Sequence, residues 1–487
     1  MRQTLRRFVK LTAGYSLVTL LGPLSSILLI PFYTRALEPA DYGVVDVSLT
    51  FASLVSVFVT LGIDAALNAH FYDGDADHQR SLVTTAAAFV GTWGLVVAGV
   101  IASASLPLAR LFFKDAARNP IFYLLAINMV SAPVYAVVNT GLRLKMDIKR
   151  VNISGLSLLA AIITLNAILV LGLHMKATGI VAANIIANAL ACGVGLVLSR
   201  DLLRGRVSRQ LLKPLILTGL SLVPGGLSLL LLSNADRLLL TQFVPQSDIG
   251  LYSIANKLGN MVYLLLGAAW AAWWPMALEM ADRPDAPRQY ARMFEYFAAA
   301  AMLLSLTIGV WAPDILALFT RTAYVPAAPY ALALLIFYGP ISAANNSFQI
   351  ILYGRKRTHW ISVSVIAGAV LNIALNLFLN PRIGVWGAVW ATVIAGAIMA
   401  GIAGWAARSA MSVPYHWPRL SVLLGVYLGL ITMFLLMPTI NSLISHLAAP
   451  MLFLLAIFAT GVVTRGQIQV ALDSVRYRLL AQIVHRS

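Results

Sequence analysis

The chain has 487 residues, of which 60% are hydrophobic and only 11% are charged. Soluble domains carry about 25% charged residues, so this composition excludes an ordinary water-soluble fold. The formal net charge of +17 raises two interpretations, a nucleic-acid partner or the charge bias of membrane topology. Cys192 is the only cysteine, which excludes an intramolecular disulfide and a cysteine-ligated metal cluster.

Helix-length apolar runs fill most of the chain. A bilayer core is about 30 Å thick and needs about 20 apolar residues per helix, so the runs predict an all-α polytopic membrane protein with about 14 transmembrane helices. The first run is too long for a signal peptide and lacks a small-residue cleavage pattern, so we expect an uncleaved span. The predicted spans are 11–36, 44–68, 81–106, 120–141, 153–173, 177–199, 214–242, 250–276, 293–318, 328–352, 360–379, 384–406, 419–437 and 448–464.

Lysine and arginine are concentrated in the loops on one side of the predicted spans. With the N-terminus inside, 26 of the 35 basic residues fall in cytoplasmic segments. Cytoplasmic loops retain such residues, and they bind anionic lipid headgroups. The distribution predicts a multi-pass protein of a bacterial cytoplasmic (inner) membrane, with both termini in the cytoplasm. It also accounts for the net charge, so we expect contacts with membrane lipids and no nucleic-acid partner.

Three separated blocks of sequence repeat at a nearly constant offset. TRALEPADYGVVDVS, which begins at Thr34, matches TQFVPQSDIGLYSIA, which begins 207 residues later at Thr241. Two further pairs are 208 residues apart: LKMDIKRVNIS (144–154) with LYGRKRTHWIS (352–362), and TGIVAANIIA (178–187) with WGAVWATVIA (386–395). A duplicated unit with an even number of spans predicts two parallel lobes related by an axis along the membrane normal, which is a known transporter plan.

The repeat divides the chain into four predicted segments. We expect an N-terminal six-helix lobe at 1–199, a basic cytoplasmic linker at 200–213 and a C-terminal six-helix lobe at 214–407. Residues 408–487 then hold two extra transmembrane helices and a cytoplasmic tail.

Short motifs in both halves resemble one family. They are IPFYTRALEPADYGVVDVS from Ile30, TLGIDAALNAHFYD at 60–73, and NADRLLL at 234–240 followed by SDIGLYSIANKL at 247–258. With the span plan, they resemble the Wzx-like polysaccharide-biosynthesis flippases of the multidrug/oligosaccharidyl-lipid/polysaccharide exporter superfamily. The resemblance implies two six-helix lobes with alternating access. It also implies movement of a polyprenyl-diphosphate-linked oligosaccharide for O-antigen or exopolysaccharide synthesis, with a polysaccharide polymerase and export proteins as partners.

Alternatives to this function stay open. The superfamily also includes drug exporters and the lipid II flippases, and a cation-coupled exporter would be expected to place acidic residues in its cavity. A membrane glycosyltransferase or polymerase is the third alternative. The sequence lacks a Walker lysine loop and an HExxH motif, so we expect a transporter rather than an enzyme, without a cofactor or a metal.

Few ionisable residues lie inside the predicted spans, where each costs about 3 kcal/mol or more at a helix centre. Asp236 and Arg237 lie near the end of the seventh span, and Lys257 lies in the eighth. We expect Asp236 to pair with one of the two bases, which leaves a positive charge to bind diphosphate. The alternative is a purely structural salt bridge between the two spans.

Polar residues at helical spacing are further candidates for substrate binding. Asn256 and Asn260 lie one turn apart on the eighth span, and Asn372, Asn376 and Asn380 form a similar stripe on the eleventh. Each stripe is compatible with a sugar-lined cavity or with hydrogen bonds between helices.

Three charged residues near span ends complete the candidates. Asp64, near the inner end of the second span, is a candidate for ion or proton coupling, or else an interfacial carboxylate. Arg35, at the outer end of the first span, is a candidate substrate contact, with a local ion network beside Glu38 and Asp41 as the alternative. Asp46 has the same interpretation as Arg35.

Overall fold

The computed structural model describes residues 29–437 and 443–462, and every regular element in these residues is helical. The predicted span 11–36 therefore lies largely outside the described residues. The helices are α1 (Ile30–Ala36), α2 (Pro39–Thr60), α3 (Ile63–His70), α4 (Ala76–Ser103), α5 (Ser105–Phe113), α6 (Pro120–Leu144), α7 (Ile148–Asn166), α8 (Lys176–Leu198), α9 (Arg209–Leu240), α10 (Gln246–Met280), α11 (Ala286–Val310), α12 (Ala312–Phe319), α13 (Ala328–Ile336), α14 (Ser342–Gly354), α15 (His359–Ile383), α16 (Val385–Ala410), α17 (Trp417–Leu436) and α18 (Leu443–Ala459).

The described helices confirm the polytopic all-α fold. Eleven helical segments are long and apolar enough to cross a membrane, and α10, which bends by 50° after Gly267, makes a twelfth. The apolar helix α18 is shorter. Each predicted span from 44–68 onward overlaps one of these helices. The described residues thus contain up to twelve candidate spans and one shorter apolar helix, so the predicted number of 14 is approximate.

The predicted span 44–68 is interrupted. Leu61 and Gly62 both adopt left-handed backbone conformations, with φ of 46° and 70°, and a right-handed helix cannot continue through them. A Cβ atom at Gly62 would also lie 2.5 Å from the carbonyl oxygen of Gly219 on α9. The expectation of one continuous helix was wrong here, because a corner that touches another backbone needs glycine.

The described chain forms two compact units. The first contains the described residues up to Ser253 with Ala317–Val325 and Ala369–Ala391. Inside it, α6 packs against α4 and α8, α7 packs against α8, and α9 packs against α2 and α3. The predicted linker 200–213 lies within this unit, and the division into two six-helix lobes stays a prediction.

The second unit contains Ile254–Leu316, Pro326–Gly368 and the described residues from Thr392 onward. Helix α11 contacts α13, α14, α17 and α18 within it. Large aromatic side chains fill the core between these helices, including Tyr290, Phe294, Phe348, Tyr427 and Phe453.

Residues at equivalent repeat positions meet inside the first unit. A Cβ atom at Gly43 would lie 2.1 Å from the carbonyl oxygen of Gln246, and one at Gly250 would lie 1.9 Å from that of Pro39. The contact is reciprocal, as in an isologous two-fold interface, because Gln246 and Gly250 are the repeat equivalents of Pro39 and Gly43. The geometry therefore agrees with the offset of the first repeat block.

The helix ends in the second repeat block also match each other, but with a shift relative to the sequence alignment. Met146 and Lys356 both end a helix with a left-handed residue, with φ of 59° and 56°. Their backbone N–H groups bond to the carbonyls of Arg143 and Tyr353 at 2.9 and 3.0 Å. These turns are 210 residues apart, so the structural correspondence is shifted by two residues from the alignment of the sequences.

Candidate functional site

Three ionisable side chains lie close together inside the first unit, on α2 and α9. Arg237 Nε is 2.7 Å from Asp46 Oδ2, and the two side chains are 9% and 16% exposed. Asp236, the neighbour of Arg237 in the chain, is buried. In such surroundings a charge that loses its partner is strongly destabilising, so the pairing of these groups matters for the fold.

Hydroxyl and amide groups orient both carboxylates and the guanidinium. Ser253 Oγ on α10 donates to Asp46 Oδ2 at 2.6 Å, and the Tyr252 hydroxyl donates to Asp236. Arg237 Nη1 donates to Asn234 Oδ1 at 2.7 Å. The buried polar cluster, defined here as Asp46, Asn234, Asp236, Arg237, Tyr252 and Ser253, thus joins α2, α9 and the start of α10.

The cluster contains an ion pair that the sequence analysis did not predict. The Arg237 guanidinium pairs with Asp46 on α2, and the pairing of Asp236 with one of the two bases stays a prediction. Asp236 accepts from the Tyr252 hydroxyl and from the Arg237 backbone N–H. Two carboxylates and one guanidinium carry a net negative charge when all are ionised. The predicted positive charge also included Lys257, which is not a member of the cluster.

Sequence reasoning missed three members of the cluster. Ser253 lies 207 residues after Asp46, so the repeat offset was a signal that these two positions are equivalent and close to the repeat contact. Tyr252 directly precedes Ser253, so the same repeat alignment also placed it close to this contact. Asn234 had no signal beyond its spacing of one turn before Arg237.

The remaining candidates of the first unit lie apart from the cluster. Arg35 is exposed and donates to the Leu318 carbonyl at 3.4 Å. Glu38 was a predicted ion partner of Arg35, but its carboxylate pairs instead with Arg321, 2.6 Å away and distant in sequence. Asp64 is half-buried in the first turn of α3, where the positive end of the helix dipole stabilises a carboxylate.

The asparagine stripe on α15 is buried in the first unit. Asn372, Asn376 and Asn380 are 0%, 0% and 2% exposed. Asn376 donates to Asn372 Oδ1 at 3.2 Å, and Asn380 donates to Asn376 Oδ1 at 3.0 Å. The stripe is therefore a ladder of amides along one helix.

The predicted polar stripe on α10 lies in the second unit. Tyr338 donates its hydroxyl to Asn256 Oδ1 at 2.5 Å, and Asn260 donates to the same oxygen at 3.1 Å. Asn256 is buried, Lys257 is half-buried and Asn260 is exposed. Tyr338 belongs to a π-helical turn, Phe337–Ile341, and such turns are frequent at functional sites.

A groove of about 880 Å³ lies beside α16 in the second unit. One face of α16 lines the groove with Gly401, Trp405 and Arg408, which are spaced about one helical turn apart. Arg408 lies in the last turn of this helix. Phe294, Phe348 and other apolar side chains form the rest of the α16 groove, whose full lining is Phe294, Ala298, Met302, Pro340, Ala344, Phe348, Ala400, Gly401, Gly404, Trp405, Arg408, Met411, Ser412, Val413, Pro414, Tyr415, Trp417, Leu420, Ser421 and Leu424. The groove is a mostly apolar trough, with Arg408, Ser412 and Ser421 among its lining residues.

Two family models match the chain. A model described as polysaccharide biosynthesis protein matches residues 32–272, and one described as MatE matches residues 225–378. No curated protein matches the chain in sequence.

Solved structures share the fold at low sequence identity. An inward-facing multidrug resistance MATE family transporter of the MOP superfamily aligns with a TM-score of 0.67 and 14% identity, covering 80% of this chain and 94% of its own. The lipid II flippase MurJ in an inward closed conformation aligns with a TM-score of 0.65 and 12% identity, covering 96% and 99%. The chain has the MATE and MurJ fold. The two family-model matches bear out the predicted resemblance, and the solved structures show a fold that is found in membrane transporters and flippases.

Proposed function

We propose that this protein is a flippase for a polyprenyl-diphosphate-linked oligosaccharide. It moves this substrate across the bacterial cytoplasmic membrane by alternating access, for surface polysaccharide biosynthesis such as that of O-antigen or exopolysaccharide. A polysaccharide polymerase and export proteins then take the product on the far side.

The α16 groove carries the proposal. Its mostly apolar lining suits an isoprenoid chain. Arg408 lies in the last turn of α16, which is predicted to face the cytoplasm, and its planar guanidinium suits a diphosphate. The groove falls in the size range of ligand sites, about 300–1,000 Å³. Since lipid tails are as apolar as the groove, selection rests on packing and on the charge of Arg408.

Two different comparisons support the two parts of the proposed substrate, its glycan and its lipid. The family model for polysaccharide biosynthesis supports a glycan substrate. The structural similarity to a lipid II flippase supports a substrate that is attached to a lipid.

The polar candidates take different roles in this proposal. Lys257, Asn256 and Asn260 are candidate contacts for diphosphate and sugar, because the first is half-buried and the last is exposed. Asp236 and Arg237 belong to the buried polar cluster. Their role is to hold α2, α9 and the start of α10 together. Arg35 is a candidate contact at the predicted outer surface.

Reconstitution into liposomes tests the proposal. A fluorescent polyprenyl-diphosphate oligosaccharide is incorporated, and the fraction accessible to a membrane-impermeant quencher is followed over time. We expect quenching of the inner-leaflet pool in proteoliposomes and none in protein-free liposomes. Transport of cationic dyes without movement of the lipid-linked sugar would replace the proposal with an exporter function.

A cation-coupled exporter is the second candidate function. The observation that favours it is the excess of carboxylates over guanidinium in the buried polar cluster. Asp64 is the candidate coupling residue in either function. Imposed proton or sodium gradients distinguish the cases: Asp64→Asn abolishes gradient-driven stimulation if this carboxylate couples transport, and leaves it unchanged otherwise.

A further inference from the structure

A second polar contact joins α3 to α9 at the opposite end of α9 from the buried polar cluster. His70, the last residue of α3, places Nε2 2.9 Å from Thr218 Oγ1. Thr218 lies in the third turn of α9, next to Gly219, whose backbone contacts the corner at Gly62. The two helices therefore meet through a glycine contact and a side-chain hydrogen bond.

The loop that follows α3 sets the orientation of the imidazole. Asp73 Oδ2 lies 2.9 Å from His70 Nδ1, with the carboxylate 57% exposed and the imidazole 26% exposed. A carboxylate at Nδ1 favours the tautomer with the proton on that nitrogen, which leaves Nε2 to accept from the Thr218 hydroxyl. His78 on α4 contacts the His70 carbonyl at 3.2 Å and fixes the same end of the helix.

This contact joins the two predicted repeats of the sequence. Helix α3 belongs to the first repeat, and α9 is the first helix of the second repeat. The predicted topology places His70 and the start of α9 on the cytoplasmic side. Helix α9 also contains Pro214 and Pro224, which interrupt its backbone hydrogen bonds on either side of Thr218.

We propose that His70, Thr218 and Asp73 form a clasp that holds α3 against α9 and releases when the transporter opens to the cytoplasm. The inference rests on the proposed function, because alternating access requires contacts between the repeats on one side to break. Thr218 supplies the hydroxyl, His70 bridges the helices, and Asp73 positions the imidazole.

Chemical cross-linking tests the clasp in the whole protein. Cys192→Ala removes the single native cysteine, and His70→Cys with Thr218→Cys then introduces one pair. A short bis-methanethiosulfonate reagent should reduce flipping to the protein-free level, and dithiothreitol should restore it. The control pair is Asp282→Cys with Arg355→Cys, since these two side chains contact each other at 3.0 Å within the second repeat and away from the clasp.

The outcomes separate the clasp from the proposed function. If the uncross-linked double variant flips substrate and the cross-linked form flips equally fast, the clasp is overturned. If the native protein itself flips no substrate, the proposed function fails. In that case, or if only the double variant is inactive, the clasp is judged by hydrogen–deuterium exchange. Thr218→Val should then speed amide exchange in residues 63–73 by up to about tenfold, while Thr218→Ser keeps the hydroxyl and should not. Equal exchange in these two variants would overturn the clasp independently of transport.

Discussion

The two units differ in how their buried polar groups are arranged. The first unit holds the connected buried polar cluster and the amide ladder of α15. The second unit holds a large aromatic core and the α16 groove, with separate buried polar contacts such as that of Glu295 with His416. Directional hydrogen bonds specify one arrangement of helices, while an apolar trough accepts any chain of suitable shape. Under the proposed function, the first unit sets the conformation and the second holds the lipid.

The largest expected effect is the loss of the cation from the buried polar cluster. Arg237→Gln leaves Asp46 and Asp236 without a guanidinium, and breaking a buried pair costs about 3–5 kcal/mol. Thermal unfolding of the detergent-solubilised protein measures it. Adding Asp46→Asn should recover part of the loss, and the exposed Arg408→Gln should change stability by less than about 0.5 kcal/mol. Equal effects of Arg237→Gln and Arg408→Gln would remove the distinction between the units.

The reciprocal glycine contact comes next. Gly43→Ala or Gly250→Ala would place a Cβ atom against a carbonyl oxygen, and such overpacking costs about 1–3 kcal/mol or more. Gly425→Ala on α17 is the control, since its Cβ atom would meet open space. Unchanged melting temperatures for Gly43→Ala would show that α2 and α10 do not approach as described.

The arginine of the α16 groove should affect transport without affecting the fold. Arg408→Gln removes a charge-assisted contact to diphosphate, which is about 1.5–3 kcal/mol and corresponds to a loss in flipping of about tenfold or more. Arg419→Gln removes an exposed arginine that does not line the groove and serves as the matched control. A similar loss in both variants would indicate a general charge effect instead of a site.

The smallest expected effect concerns an ion network outside the spans. Burial opposes ionisation of Asp201, but hydrogen bonds from Lys145 and Arg150 and their charges outweigh it and lower the pKa of Asp201 to about 2. Because this folded pKa is below the unfolded value of 3.8, the stabilisation is complete above about pH 4 and is lost as the pH falls towards about 2.

Asp201→Asn should therefore lower the melting temperature at pH 7, and its difference from the native protein should shrink between about pH 4 and pH 2. Thermal unfolding across this range checks it. A difference that persists unchanged at low pH would mean that Asp201 acts through something other than its charge.

The sequence predicted the fold well and the site only in part, for a physical reason. Long apolar runs and the positive-inside bias indicate helices directly, and the rarity of charges in lipid singled out Asp236 and Arg237. Their partners depend on side-chain direction between distant helices, so the pairing of Arg237 with Asp46 was not predicted. The α16 groove had no signal, because apolar residues that line a groove do not differ in type from those that face lipid.

The most direct test of the account fills the α16 groove. Gly401 lines the groove and faces open space, so Gly401→Leu should occupy the trough without straining the fold, and Gly425→Leu adds the same side chain at an open position outside it. In liposomes with fluorescent polyprenyl-diphosphate oligosaccharide, we expect Gly401→Leu to flip much more slowly than the native protein and Gly425→Leu to match the native rate. Native-rate flipping by a folded Gly401→Leu protein would contradict the assignment of the groove to the lipid chain.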